Sequence, residues 1–161
     1  MRNGIPTPPS TISELRILPR VRDAINKINK HGYVPVVISN QPDIARGTLS
    51  IGLLDEIHNI LQSQLGIKHF YICPHDDLDN CECRKPKDGL IRSAVEDLKI
   101  DISGSFLVGD RWRDIQAGFN AGLKSYFIDY SYPETKPNVP HIQVSSLYEA
   151  VELEIGVSHE Q

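Results

Sequence analysis

The sequence predicts one α/β domain: a parallel, Rossmann-like sheet in three layers, with helices on both faces. Three observations carry this. Short apolar runs alternate with amphipathic stretches of helical period along the chain, the pattern of a covered parallel sheet. Polar clusters begin where the apolar runs stop, as in sheets whose ligands sit beyond the strand carboxyl ends. And 161 residues with 40% hydrophobic content suffice for a single core.

The elements follow in order. Residues 1–18 read as irregular, because Gly4, Pro6, Pro8 and Pro9 interrupt any regular backbone. A helix begins after Pro19, with Val21, Ala24, Ile25 and Ile28 on one face and Gly32 past its end. Residues 34–39 form an apolar run typical of a strand buried on both faces. A helix over 50–65 carries Ile51, Leu54, Ile57, Leu61 and Leu65 on one stripe. A second strand covers 69–73, and Leu90, Ile91, Ala94, Val95 and Leu98 mark a further helix. A third strand at 105–108 ends in Gly109-Asp110; a helix over 113–121, a strand over 124–128, a Pro-rich loop over 131–140 and a helix over 146–154 complete the reading. No internal repeat, low-complexity tract or linker divides the chain.

Charge and composition exclude several classes. A formal charge of −4 does not suit the phosphate backbone of nucleic acid. No run reaches the roughly 18 apolar residues of a membrane span, and the N-terminus lacks a signal-peptide core. Three cysteines is an odd number, and C-x-C neighbours are poorly placed to bridge each other, so a reducing cytoplasm is expected rather than a secreted disulfide framework.

All three cysteines lie between residues 73 and 83, interleaved with a histidine as C-x-H-x5-C-x-C. Cys73, His75, Cys81 and Cys83 supply the four N/S donors of a closed tetrahedral zinc site, and four protein ligands make that zinc structural. Arg84 and Lys85 follow at once, so a folded metal loop would hold two cations in place for an anion such as phosphate.

The stretches VVISNQPDIARG (36–47), CPHDDLDNCECRKPKDGL (73–90) and VGDRWRDIQAGFNAG (108–122) resemble motifs of the haloacid dehalogenase superfamily. They resemble in particular its zinc-bearing branch of histidinol-phosphate and D-glycero-D-manno-heptose 1,7-bisphosphate phosphatases, over residues from about 4 to 130. The resemblance implies a sheet of the haloacid dehalogenase type and a magnesium-dependent phosphomonoesterase. It implies that Ser39, with backbone N–H groups near Asn40 and Gln41, holds phosphoryl oxygens where charge accumulates, with Pro42 completing that turn. It implies that Lys85 neutralises the phosphoryl group, that Arg84 recognises substrate, and that Asp110 binds Mg²⁺. Arg111 stands where the heptose enzymes carry a lysine touching substrate. Asp114 is either a further Mg²⁺ ligand or an acid serving a helix N-terminus. The remaining histidines, Trp112, the tyrosines and Asp76, Asp77 and Asp79 are assigned to packing and loop solvation.

One part of the family pattern is missing. The family nucleophile and its acid–base partner form an Asp-x-Asp pair at the end of the first, central strand. Here the first aspartate is Asp23, inside a helical stretch. Residues 2–9 resemble the loop that follows the motif, so the chain is expected to be a truncated reading that starts just downstream of it. A catalytically inactive phosphate-ligand-binding pseudoenzyme is the alternative. The expected substrate is the heptose bisphosphate, hydrolysed at its 7-phosphate, with histidinol phosphate as the alternative; a monomer is expected, with no nucleic acid or membrane partner. If the central strand is missing, the strand ending at Ser39 and the strand ending at Val108 should not pair with each other.

Overall fold

The computed structural model describes residues 7–156. The expected alternation is present, with small shifts at the ends. In chain order the elements are α1 (Val21–Lys30), β1 (Val36–Asn40), α2 (Pro42–Ala45), α3 (Ile51–Leu65), β2 (His69–Cys73), α4 (Gly89–Leu98), β3 (Phe106–Gly109), α5 (Trp112–Asn120), β4 (Lys124–Ile128), β5 (Ile142–Val144) and α6 (Leu147–Ile155). Short 3₁₀ turns occupy Ile12–Glu14 and Asp77–Asp79. Residues 1–6 of the segment read as irregular lie outside the described residues; within the rest, the turn at Ile12–Glu14 is the only regular piece.

Local chemistry sets the helix starts. Ser50 Oγ accepts from the Leu53 N–H at 3.1 Å and caps α3. Ser146 Oγ accepts from the Glu149 N–H at 3.1 Å and caps α6. β5 departs from the sequence reading, which places no strand after β4. It is three residues long, with Ile142 and Gln143 exposed and only Val144 buried, so no alternation announces it.

All ladders are parallel. β1 pairs with β2 (Val36 opposite His69, Asn40 opposite Cys73), and β3-β4-β5 form a second sheet. Helices cover both faces. On one, Ala24, Ile25 and Ile28 of α1, Leu65 of α3 and Val151 and Ile155 of α6 bury Val37, Phe70 and Phe106. On the other, Ile91 of α4 and Ile115 and Ala117 of α5 pack with Ile38 and Leu107.

Those clusters show how the two sheets sit together. Val37 and Phe106 share one face and Ile38 and Leu107 the other, so β1 and β3 lie in one layer, side by side. No ladder joins them among the described residues. The expectation drawn from the missing motif therefore holds. Successive residues of a strand turn their backbone groups to opposite edges. The Gln41 N–H bonds Cys73 O at 2.8 Å, so Val37, Ser39 and Gln41 face β2 and Ile38 and Asn40 face the unladdered edge.

Candidate active site and metal centre

β2 leads directly into the cysteine loop. Cys73, its last residue, is buried, and the loop brings Cys81 and Cys83 back beside it. Cys81 Sγ lies 3.6 Å from Cys73 Sγ and 3.5 Å from Cys83 Sγ. His75 Nδ1 lies 3.6 Å from Cys73 Sγ and 3.3 Å from Cys83 Sγ. A tetrahedron with bonds of about 2.3 Å to sulfur has edges of about 3.8 Å, so these four atoms stand close to the vertices of a zinc shell. Among the described residues, no other group of three or more His, Cys, Asp or Glu side chains is arranged to hold a metal.

The loop also organises its neighbours. Asp76, assigned to solvation from sequence, accepts from Arg46 Nε and Nη2, each at 2.6 Å, and ties the segment after α2 to the metal loop. Arg46 beside it, with the Asp77 N–H, holds the Asp76 carboxyl down to about 2. Arg84, expected to meet substrate, is held inward: Nε donates to Asp77 Oδ1 at 2.7 Å and Nη1 to His75 O at 3.1 Å. Gly89 opens α4 directly beneath the loop, where a Cβ would stand 2.2 Å from Glu82 O.

Lys85 is fixed on every side. Its backbone N–H donates to Asn40 Oδ1 and its carbonyl accepts from Asn40 Nδ2, both at 3.0 Å. The Asn40 side chain is thus a clamp that joins the end of β1 to the metal loop, while its backbone N–H, the group expected to serve phosphate, faces the unladdered edge. The Lys85 ammonium donates to Ile38 O at 2.9 Å and meets Asp114 Oδ1 at 2.6 Å. The two side chains are 11% and 12% exposed, so this pair is largely withdrawn from water. Asp114 Oδ2 accepts from the N–H groups of Asp110 and Arg111 at 3.2 and 3.0 Å. Three donors thus converge on one carboxylate at the start of α5, which fits one of its two expected roles, an acid serving the helix N-terminus. That approach requires Gly109, where a Cβ would lie 2.3 Å from Asp114 Cβ.

Ser39 and Gln41 show a similar division. Ser39 Oγ accepts from Gln41 Nε2 at 2.9 Å, which leaves the hydroxyl hydrogen for another acceptor. The Gln41 N–H, expected to serve phosphate, is taken by Cys73 O. Pro42 stands at the first turn of α2, where it shapes the chain and offers no donor.

Asp110 follows β3. Burial raises its carboxyl above the usual range; the hydrogen bond from Tyr132 opposes that and the Asp114 charge reinforces it. Tyr132 Oη donates to Asp110 Oδ2 at 2.8 Å. A single carboxylate suits Mg²⁺, which binds through one or two carboxylates, waters and substrate phosphate. Arg111 is engaged by Glu134, with Nε 3.2 Å from both carboxylate oxygens and Nη2 2.9 Å from Oε2. Tyr132 and Glu134 escaped the sequence reading. They lie in the Pro-rich loop, where no periodicity or motif marks them, and their partners are 22 and 23 residues away.

The structure therefore brings Ser39, Asn40, Lys85, Asp110, Arg111 and Asp114 together where β1 and β3 end, and places the zinc ligands directly behind Lys85. Known proteins resemble this chain in sequence and in fold. A HAD-hydrolase-like family model matches residues 82–150. D-glycero-beta-D-manno-heptose-1,7-bisphosphate 7-phosphatase of Haemophilus influenzae is 32% identical over 70% of this chain and 67% of its own length. A probable D-glycero-D-manno-heptose-1,7-bisphosphate 7-phosphatase of Thermoplasma volcanium is 33% identical, over 71% of this chain and 82% of its own. The crystal structure of the D,D-heptose 1,7-bisphosphate phosphatase of B. bronchiseptica, complexed with magnesium and phosphate, superimposes with a TM-score of 0.83 at 25% identity, covering 92% of this chain and 89% of the other. With its parallel α/β layer, its strand-end site and relatives matched over most of their length, the chain belongs to the HAD-hydrolase-like family, alongside these phosphatases.

Proposed function

We propose that this chain is the phosphate-handling domain of a magnesium-dependent sugar-phosphate phosphatase whose ligand is D-glycero-D-manno-heptose 1,7-bisphosphate, with the 7-phosphate as the group addressed. The observation that carries the reading is the Lys85 ammonium, restrained between Ile38 O and Asp114 where β1 ends, in a chain whose relatives bear that activity. Lys85 places a fixed positive charge where phosphoryl oxygens would gather, at no reorganisation cost. The Ser39 hydroxyl donates to the same oxygens. Asp110 presents a carboxylate to magnesium, which when bound would neutralise phosphoryl charge. The zinc ligands hold the loop that carries Arg84 and Lys85 and take no part in the chemistry. No helix among the described residues is long and apolar enough to cross a membrane, and we place the protein in the cytoplasm as a monomer.

A phospho-aspartate mechanism needs a nucleophilic carboxylate and an acid–base partner two residues on. The 161 residues contain no Asp-x-Asp pair at a strand end. The chain should therefore bind without turning over. Calorimetry with magnesium present tests the reading: heptose 1,7-bisphosphate should bind more tightly than histidinol phosphate, and the reverse order would transfer the assignment to the histidinol ester. Turnover of either ester near about 1 s⁻¹, an ordinary enzymatic rate, would show that another residue of this chain is the nucleophile.

A further inference from the structure

The two cations of the site are each matched by a carboxylate, but in different ways. Lys85 pairs with Asp114, which is buried and itself held by two backbone N–H groups. Arg111 pairs with Glu134, which comes from the loop after β4. The Arg111 side chain is 38% exposed and Glu134 18% exposed.

That loop, residues 129–136, is a built strap. Asp129 Oδ1 accepts from the Ser131 N–H at 2.7 Å and from Lys136 Nζ at 2.6 Å, closing the loop on itself. Ser131 turns through a left-handed conformation at φ 57°, and the Glu134 N–H bonds Tyr132 O at 2.8 Å. Tyr132 anchors the strap to Asp110, and its ring centroid lies 5.6 Å from the Arg111 guanidinium carbon. Glu134 is thus presented to Arg111 by a braced loop, through the fork geometry that a phosphate or carboxylate ligand would also use.

We infer that Glu134 competes with anionic ligands for Arg111, so that the 129–136 strap sets how strongly the site accepts anionic ligands at its Arg111 side. This rests on the phosphate-site reading above. An incoming anion meets two paired cations and can exchange with only one of their partners at small cost. Displacing Asp114 would strand a buried carboxylate, whereas displacing Glu134 returns a loop side chain to water. Glu134 therefore acts as a built-in rival of the ligand and as a specificity-determining residue. While it is in place, the mouth beside Asp110 carries no surplus positive charge.

The test is titration of inorganic phosphate into the zinc-loaded 161-residue chain with magnesium, followed by calorimetry or ³¹P NMR. Parent protein that binds no phosphate would sink the phosphate-site reading before any variant is compared, and this inference with it. Given parent binding, Glu134→Gln keeps the side-chain shape and removes the rival charge. It should tighten phosphate by about fivefold, the scale of one partly exposed ion pair. Unchanged or weaker binding would overturn the inference. Glu134→Asp, which keeps the charge, should stay near the parent. In an Arg111→Gln background the gain from Glu134→Gln should vanish; a gain that persists would reflect overall charge alone and would also overturn the inference. Thermal melts of each variant confirm that a folded protein is being compared.

Discussion

Asp110 carries a burden that the rest of the site does not relieve while metal is absent. Burial raises its carboxyl, Asp114 adds to the effect, and Tyr132 and Arg111 offset part of it; the Tyr130 hydroxyl also feels the Asp110 charge. A carboxyl whose folded pKa lies above its unfolded value costs stability when ionised. That cost is present in full above the folded pKa and absent below the ordinary carboxylate range. Asp110→Asn should therefore raise the melting temperature in metal-free buffer at pH 7. The advantage should fade as the pH falls through the raised pKa towards the ordinary value. A variant that melts no higher than the parent at pH 7 would show that ionised Asp110 is already well accommodated. Legibility at this scale follows motif membership. Ser39, Lys85 and Asp110 were singled out by the fixed spacings around them, and the structure ties Lys85 and the Asp110 N–H to one carboxylate, Asp114. The clamp role of the Asn40 side chain was not legible, because sequence does not show that its amide closes on the Lys85 backbone 45 residues away. The contacts of Glu134 and Tyr132 were invisible because partners 22 or 23 residues apart, with α5 and β4 between them, leave no local trace.

The metal loop links elements that also pack on one another, since β1 is laddered to β2 and Ile91 of α4 lies against Ile38 of β1. It begins at β2, ends at α4, and between them delivers the Lys85 backbone to Asn40 at the end of β1. Arg46 reaches the same loop through Asp76, and Lys87 Nζ braces it by donating to Cys81 O at 2.8 Å. Without metal, residues 74–83 keep only the Asp76–Asp79 turn and the side-chain contacts of Arg46, Arg84 and Lys87, in place of four metal bonds. Stripping zinc with a chelator should therefore lower the melting temperature and weaken phosphate binding together, with both restored by one equivalent of zinc. Elemental analysis of the washed protein gives the comparison. Zinc below about 0.2 per chain with the fold and phosphate affinity intact would remove its structural role. The helices and four longer strands were legible here because each buries a periodic apolar face. α2 and β5 were not, since four and three residues are too few to display a period.

At the scale of the whole molecule, the unpaired edge between β1 and β3 is the feature with most consequence. Helices on both faces hold the two sheets in one layer, so side-chain packing continues across a line where, among the described residues, the strand ladder stops. That break was foreseen from a missing motif, not from any residue present, which is why composition and periodicity alone could not reveal it. Hydrogen exchange can read it residue by residue. In β1, the Val37 and Ser39 amides face β2 and share its parallel ladder. The Ile38 and Asn40 amides face the other edge, where Lys85 Nζ meets the Ile38 carbonyl but no strand of the described residues supplies acceptors in register. Protection should therefore alternate along a strand buried under helices, with Ile38 and Asn40 exchanging faster than Val37 and Ser39 by on the order of a hundredfold. Uniform protection across residues 37–40 in NMR-detected exchange would mean that the edge is occupied in solution, by β3 or by a strand from another molecule. Concentration decides between those two: protection supplied by a second molecule falls on dilution, and protection supplied by β3 does not.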